Sequence, residues 1–541
     1  MTNSTHRLRN PSLETSGRPP LPIWLASFRM ALVAAAGVVA VGLMATGITG
    51  CADMSGITPQ ASVRDAASLG LTDASSTAQA PGAEWWRDFG DEELNRLVAQ
   101  ALDTQPSLKL AQARLARAQA VTEVANAATL PQLNAQLDLT RQRYTANGAV
   151  PPPLAGSIQE SGTAQLAASW ELDFFGKNRA ALDAALGSVH AAEADAQAAR
   201  ILLASNVART YFQLVRLNEQ AGVARRTLAQ RQETLRLVQD RVGAGLDTNL
   251  ELRQSEGGLP EARLQLETVQ EQMALTRNAL AALIGQPNAA VAQNPPAQAA
   301  IKNVAIAASI PADLLGRRAD IAAARWRVEA SSKDVVNAKT QFYPNINLVA
   351  FAGFSSIGLG RLFQSGSQQW GVGPALRLPI FDAGRLRANL RGKTADLDAA
   401  VESYNAAVID AVHDVADQVA SSQAIARQQT QQRAAQDAAE GAYEIAVQRY
   451  KAGLGNYLNV LTAETSVLAQ RRLAVDLSAR ALDTQVALIR ALGGGYNAGQ
   501  APGAASAAVP AAGGATKTVA NSARTDWAGA TPDPQNAAAT R

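Results

Sequence analysis

Few side chains in this chain could do covalent or metal chemistry. Among 541 residues there is one cysteine, Cys51, and the only histidines are His6, His190 and His413, whose spacing fits no zinc site. A lone cysteine also excludes an intrachain disulfide. No nucleophile elbow, Walker A segment or dinucleotide fingerprint occurs, so the sequence reads as a non-enzyme without a bound metal or cofactor. The carboxylates in the most distinctive setting are Asp247 and Glu251, just after Gly243-Ala244-Gly245-Leu246. On a helix this spacing puts both on one face, where copies arranged in a ring would attract cations. Acids in a first helical turn also stabilise it through the helix dipole, and that role suits Asp247 equally well.

The setting of Cys51 is an export signal. Arg7, Arg9, Arg18 and Arg29 precede an apolar run from Met30 to Met44, which ends in small residues up to Gly50. The run is too short for a membrane span, which needs about 20 residues. Ile48-Thr49-Gly50-Cys51 resembles the bacterial lipobox, which implies a thioether-linked diacylglycerol and an N-palmitate on Cys51 once residues 1–50 are removed. Chains of that length hold a protein at a membrane, each buried methylene contributing roughly 0.8 kcal/mol. Ala52 after the cysteine favours the outer membrane by resemblance to lipoprotein sorting patterns. Residues 51–83, rich in Ser, Thr, Ala and Gly, read as an extended acylated tether.

The elements that must position everything else come from a duplication. A shift of about 208 residues lays Gly176-Lys177-Asn178-Arg179-Ala180 on Gly384-Arg385-Leu386-Arg387-Ala388, and Arg241-Val242-Gly243-Ala244-Gly245-Leu246 on Arg449-Tyr450-Lys451-Ala452-Gly453-Leu454. It predicts repeats at 84–300 and 301–494, followed by a tail at 495–541 whose Ala, Gly, Pro and Thr show no periodicity and read as disordered. Within each repeat the apolar period runs from 3.6 to 2 and back. Helices are expected over Asp103 to Ala128 and Pro311 to Gln341. Strands are expected at Asn134 to Thr140, Gln165 to Leu172, Ile346 to Phe354 and Trp370 to Ile380. Long helices follow at Asn178 to Val242 and Leu386 to Tyr450, each spanning roughly 95 Å at 1.5 Å per residue. They turn at Gly243 to Gly245 and Gly453 to Gly455 and run back to Ile284 and Leu492, with Gly257-Gly258-Leu259-Pro260 interrupting the first return helix.

The whole composition agrees with this plan. Ten Phe, seven Trp and eight Tyr are few for the core of so long a chain, while Ala-rich seams suit coiled-coil packing. The net charge of +3 offers no excess for nucleic-acid binding. Four amphipathic strands leave two open edges, which lipid does not tolerate, and membrane barrels close at eight strands or more. Three chains giving twelve strands are the simplest closed solution with a pore; a soluble sandwich cap is the alternative.

The sequence from about Trp85 to Gly494 resembles the outer-membrane factor family of bacterial tripartite efflux pumps, in its lipoprotein branch of TolC/OprM/NodT-like outer membrane efflux proteins. The resemblance rests on Ile310-Pro311-Ala312-Asp313-Leu314-Leu315-Gly316-Arg317-Arg318-Ala319-Asp320-Ile321, on Phe342-Tyr343-Pro344, and on Leu378-Pro379-Ile380-Phe381-Asp382-Ala383-Gly384-Arg385. Ala319 stands where the family signature has proline. The resemblance implies a mainly α chain with a membrane β-barrel: a homotrimer with a twelve-strand barrel in the outer membrane on a twelve-helix periplasmic tunnel. It implies partners at the far end, a periplasmic membrane-fusion adaptor and an inner-membrane RND pump, and a role as passive exit duct for drugs or other small molecules.

For residues, the resemblance implies a periplasmic gate at Glu251; Asp247 would join it in a ring of acids by its helical spacing, and packing of Tyr450 and Tyr457 is expected to support the gate. Asn459 is the uncharged counterpart of Glu251 in the second repeat, and Gly455 stands where some members carry a basic residue. Gly243, Gly245, Leu246, Gly453 and Leu454 would form the tips that meet the adaptor; turn geometry alone accounts for the glycines. Two other readings are a duct for type I protein secretion, and a periplasmic adaptor or structural lipoprotein. The duplication argues against an adaptor, and a scaffold has no use for the strands.

Overall fold

A computed structural model describes residues 54–64, 81–286, 291–292, 295–304 and 314–497. The signal segment, Cys51, residues 310–313 of the signature and the tail beyond 497 lie outside the described residues.

Helix α1 (Glu92–Thr104) is followed by α2 (Pro106–Ala127), strands β1 (Gln132–Arg143) and β2 (Ile158–Leu172), and helices α3 (Lys177–Gly243) and α4 (Asn249–Leu283). The second repeat contains the short turn α5 (Leu314–Arg317), α6 (Ala319–Thr340), β3 (Asn345–Ile357), β4 (Gln368–Arg377), α7 (Arg385–Lys451) and α8 (Tyr457–Ala491). The duplication is visible in the lengths: α3 and α7 both have 67 residues, and α4 and α8 both have 35. At 1.5 Å per residue, each long helix runs for roughly 100 Å.

The helices pack in two tiers. Beside the sheet, α3 lies between α2 and α6, and α6 packs on α7; further along, α3 lies between α4 and α8, and α8 packs on α7. The tiers meet at the main core, where Trp85, Phe89, Leu94 and Leu97 close over Tyr211, Phe212 and Leu214 of α3. Asp91 serves two elements there. Its carboxylate caps α1 by accepting the N–H groups of Glu93 (2.9 Å) and Leu94 (3.0 Å), and it accepts the Tyr211 hydroxyl at 2.7 Å. Burial, and then Asp91, raise the Tyr211 pKa, so this phenol stays a donor.

The four strands form one antiparallel sheet in the order β1-β2-β3-β4. Its register puts Leu137, Ala164 and Phe354 on one face, with Leu166, Ala352 and Trp370 one row along. The other face carries amides: Gln165 donates Nε2 to Gln136 (3.4 Å), and Gln369 donates Nε2 to Gln165 (3.1 Å). Gly353 lies between these last two in the same row and, lacking a side chain, lets them meet. The apolar face is bare in the single chain, Leu133, Leu137, Trp370 and Val372 all being more than half exposed.

Several elements differ from the sequence reading. The first helix is two, since Pro106 opens α2 and Gln105 is extended. Extended Arg318 likewise separates α5 from α6. Strand β4 stops at Arg377, short of Ile380, because Pro379 has no N–H for the ladder. The Gly257 to Pro260 segment does not interrupt α4, which continues through it. Arg231 of α3 supports it there, donating Nη1 to the Gly258 carbonyl (2.7 Å) and to Glu261 (2.8 Å). The tether is also partly a docked strap. Ile57 is buried with Val335, Phe342, Leu386 and Leu390, the Gln60 and Ala61 N–H groups bond Asp398, and the Arg64 N–H bonds Asn405. An apolar residue in a polar stretch was the sign of this.

Candidate functional site: the hairpin tips

Both long helices end in the same cap. Gly245 and Gly453 take positive φ (73° and 75°), and the N–H groups of Leu246 and Leu454 reach back to the carbonyls of Arg241 and Arg449, both at 2.8 Å. Only glycine enters that conformation without strain, whereas Gly243 is the last helical residue of α3 and its type is not required by the turn. The caps hold four leucines outward: Leu246, Leu250, Leu454 and Leu458 are 59–70% exposed. Helices α4 and α8 restart at side-chain caps, from Thr248 in one and Asn456 in the other, whose Oδ1 accepts the Asn459 N–H at 3.1 Å.

The acids do not share a helical face. Asp247 precedes α4, in the turn, and points to Arg241, accepting from Nε (2.9 Å) and Nη2 (3.2 Å). The remaining Nη1 of Arg241 donates to the Tyr450 carbonyl at 3.0 Å, and the guanidinium lies 4.6 Å from the centre of the Tyr450 ring. The Tyr450 hydroxyl closes the loop by donating to Asp247. One network thus ties the first hairpin to the second. Its members are nearly dry, with side-chain exposures of 12% for Arg241 and 11% for Asp247, and Tyr450 is buried. Burial opposes ionisation of Asp247, but the hydrogen bonds from Arg241 and Tyr450 outweigh it and hold its pKa below the usual carboxylate range. Burial and then Asp247 raise the Tyr450 pKa.

Tyr457 packs 5.9 Å from the Tyr450 ring, in a cluster with Val238 and Val460. Glu251 plays the helix-start role that the sequence offered as the alternative for Asp247: its carboxylate accepts from the Thr248 N–H (3.0 Å) and hydroxyl, and this hydroxyl lowers its pKa. Asn459 is exposed. The hub, Arg241, was visible only as the first residue of the repeated Arg-x-x-Ala-Gly-Leu pattern. Its counterpart Arg449 faces Gly455 instead of an acid and bonds the Leu454 carbonyl at 3.2 Å.

A second arginine gives physical content to the signature. Arg318 is buried, pairs with Asp320 (Nε 3.0 Å, Nη2 2.6 Å), and donates to the last carbonyl of α8, at Ala491 (3.3 Å). Asp414 of α7 lies 3.5 Å away. This group joins three helices where the return helix ends.

Long helical hairpins joined to a four-strand sheet with one apolar face define a channel-type envelope protein. The outer membrane efflux protein family matches residues 97–286 and again 310–494, and the chain belongs to that family. It is an efflux channel of the outer membrane. Among its relatives, the fusaric acid resistance protein FusA of Burkholderia cepacia is 36% identical over 371 residues, covering 66% of this chain and 70% of that one. The putative multidrug resistance outer membrane protein MdtQ of Escherichia coli K12 is 33% identical over 473 residues, covering 83% and 96%. The crystal structure of the outer membrane protein VceC of Vibrio cholerae superimposes with a TM-score of 0.73 at 38% identity, covering 77% of this chain and all of that one.

Proposed function

We propose that three copies of this chain close one twelve-strand barrel above a twelve-helix tunnel, and that the assembly is a passive exit duct for drugs or similar small molecules. The observation that carries this is the open sheet: among the described residues β1 pairs only with β2 and β4 only with β3, which leaves two unpaired edges beside a bare apolar face. Pairing β4 of one copy with β1 of the next removes every edge. The apolar face then meets lipid and the glutamine face lines the pore. The efflux role of the family and the drug-resistance names of FusA and MdtQ support small molecules as cargo.

In this reading residues 1–50 are the signal, Cys51 carries diacylglycerol and N-palmitate in the outer membrane, and residues 84–300 and 301–494 are the two repeats. The gate comprises Asp247, Glu251, Tyr450, Tyr457 and Asn459, with Arg241 as its hub. The leucine-bearing tips, Gly243, Gly245, Leu246, Gly453 and Leu454, dock a periplasmic adaptor that links the duct to an inner-membrane pump of the RND type. The test is the mass of the purified protein in detergent, alongside its single-channel conductance. A trimer with a small, cation-preferring conductance is expected; a monomer without conductance overturns the reading.

A further inference from the structure

A cavity of about 550 Å³ lies where the sheet ends and the long helices begin, bounded by the ends of β2 and β4 and the starts of α3 and α7. Its polar wall comes from the glutamine face of the sheet: Glu171, Asn345 and Arg377 fall on the same side as Gln165 and Gln369 by strand alternation, and Asn345 pairs with Arg377 in register. One side of the cavity is aromatic. Phe175 and Tyr343 stack at 4.9 Å with their planes 10° apart, and both are almost half exposed.

The charges of this cavity are unbalanced in a specific way. Glu171 is paired with Lys177 at 2.7 Å, and Asp173 accepts the Arg179 N–H at 2.8 Å. Arg377 and Arg385 also line it, and neither guanidinium has a hydrogen-bond or ion-pair partner among the described residues. The duplication explains why. Arg385 stands 208 residues after Lys177, but the position matching Glu171 is Pro379, so the second repeat keeps the cation and lacks its acid. Arg385 also opens α7, where the helix dipole disfavours a positive charge. The buried Oδ1 of Asn345 has no partner either and can accept from a ligand N–H or O–H, or from water.

We propose that this cavity is a way-station for an aromatic carboxylate solute: the carboxylate held by Arg377 and Arg385, and the flat ring laid on the Phe175–Tyr343 stack. A guanidinium matches a carboxylate in shape and charge, an aromatic wall matches a planar ring, and the volume suits a small organic molecule. The assignment deepens the duct reading and rests on the glutamine face lining the pore.

The test uses the full-length protein in detergent, with 2-naphthoate as fluorescent probe. Naphthalene-2-methanol supplies the ring without the charge, and cyclohexanecarboxylate the charge without the ring. Saturable binding of 2-naphthoate is expected, with both analogues at least tenfold weaker. Arg377→Gln and Arg385→Gln should each weaken 2-naphthoate by roughly tenfold or more, as loss of a charge-assisted contact does. Arg361→Gln, beyond the other end of β3, should change nothing. Equal binding of naphthalene-2-methanol, or binding unaltered in both arginine variants, overturns the proposal. So does loss of 2-naphthoate binding in phosphatidylglycerol nanodiscs with retention in phosphatidylcholine ones, since the site would then hold lipid headgroups. Conductance separates the two readings: a conducting trimer that fails to bind 2-naphthoate refutes this site alone, and a non-conducting monomer refutes the duct.

Discussion

Tyr450→Phe is the most informative change at the tips. It deletes one hydroxyl, keeps the ring under Arg241 and beside Tyr457, and removes only the bond donated to Asp247. A hydrogen bond to a charged partner contributes about 1.5–3 kcal/mol. Asp247 keeps both bonds from Arg241, so no uncompensated charge is left and the low end of that range applies. In the gate proposed above this network holds the tip closed, and about 1.4 kcal/mol is a factor of ten, so each protomer's closed-to-open ratio should fall roughly tenfold. Asp247→Asn is harsher, since it strands Arg241 where the pair is nearly dry; breaking such a pair costs about 3–5 kcal/mol at full burial, somewhat less here. The assay is the distribution of single-channel conductances in planar bilayers. Tyr450→Phe should populate larger conductances, Asp247→Asn more so, and Tyr450→Phe should add little once Asp247 is Asn. Wild-type distributions in both single variants would refute the reasoning, and so would full additivity.

Other outcomes follow from the same contacts. Because the folded protein holds the Asp247 carboxyl below its usual range, the link is complete above the ordinary aspartate pKa and is lost as pH falls through that range to the depressed value. Conductance should therefore rise on acidification, and in Asp247→Asn this rise should be absent. Arg318→Leu should destabilise the protein by about 1.5–3 kcal/mol, since it removes the buried donor to the Ala491 carbonyl and to Asp320, whose half-exposed carboxylate is left to water; thermal unfolding checks this. Leu246→Glu and Leu454→Glu change exposed side chains, so thermal stability should stay within about 0.5 kcal/mol while drug resistance of cells carrying the variant falls. Ile57→Asp should free the strap and make residues 54–64 sensitive to limited proteolysis without loss of the trimer.

What was legible in the sequence was whatever repeats or alternates. The 208-residue shift carried the equal helix lengths, because a duplicated segment repeats its own pattern, and period-2 alternation located all four strands, because that pattern is local. Prolines were misread in both senses: the expected helix ran through Pro106 and the expected strand through Pro379, where elements break, whereas Pro260, expected to interrupt its helix, sits inside one whose neighbour supports it. Long-range polar contacts were not legible. Arg241 and Tyr450 are 209 residues apart and meet only through the packing of two hairpins, and Ile57 finds its pocket among residues from Val335 to Leu390, all far along the chain. Asp247 and Glu251 were misgrouped because their spacing is helical while the chain between them is a turn and a cap.

The two repeats agree wherever the fold needs them to, at the αL caps of Gly245 and Gly453 and at the αL starts of Gly176 and Gly384. They part at charged positions. At the tip Arg241 has Asp247, and its counterpart Arg449 has Gly455; at the sheet end Lys177 has Glu171, and its counterpart Arg385 has Pro379. In both places the first repeat keeps an ion pair while the second keeps the cation and lacks the acid. A twelve-strand barrel built of six identical repeats would carry six equivalent ion pairs at each level; a threefold assembly of unequal repeats carries three closed pairs and three cations that lack a carboxylate partner. That asymmetry gives the duct two unlike kinds of site around its axis, one that joins hairpins and one that can receive an anion. Restoring the acids separates them. Gly455→Asp should give Arg449 a carboxylate and stiffen the second tip, lowering the frequency of opening. Pro379→Glu should quench Arg385 and weaken 2-naphthoate without altering the gate. If each change moved both readouts, the tip and the sheet end would be one coupled device, and the division drawn from the duplication would fail.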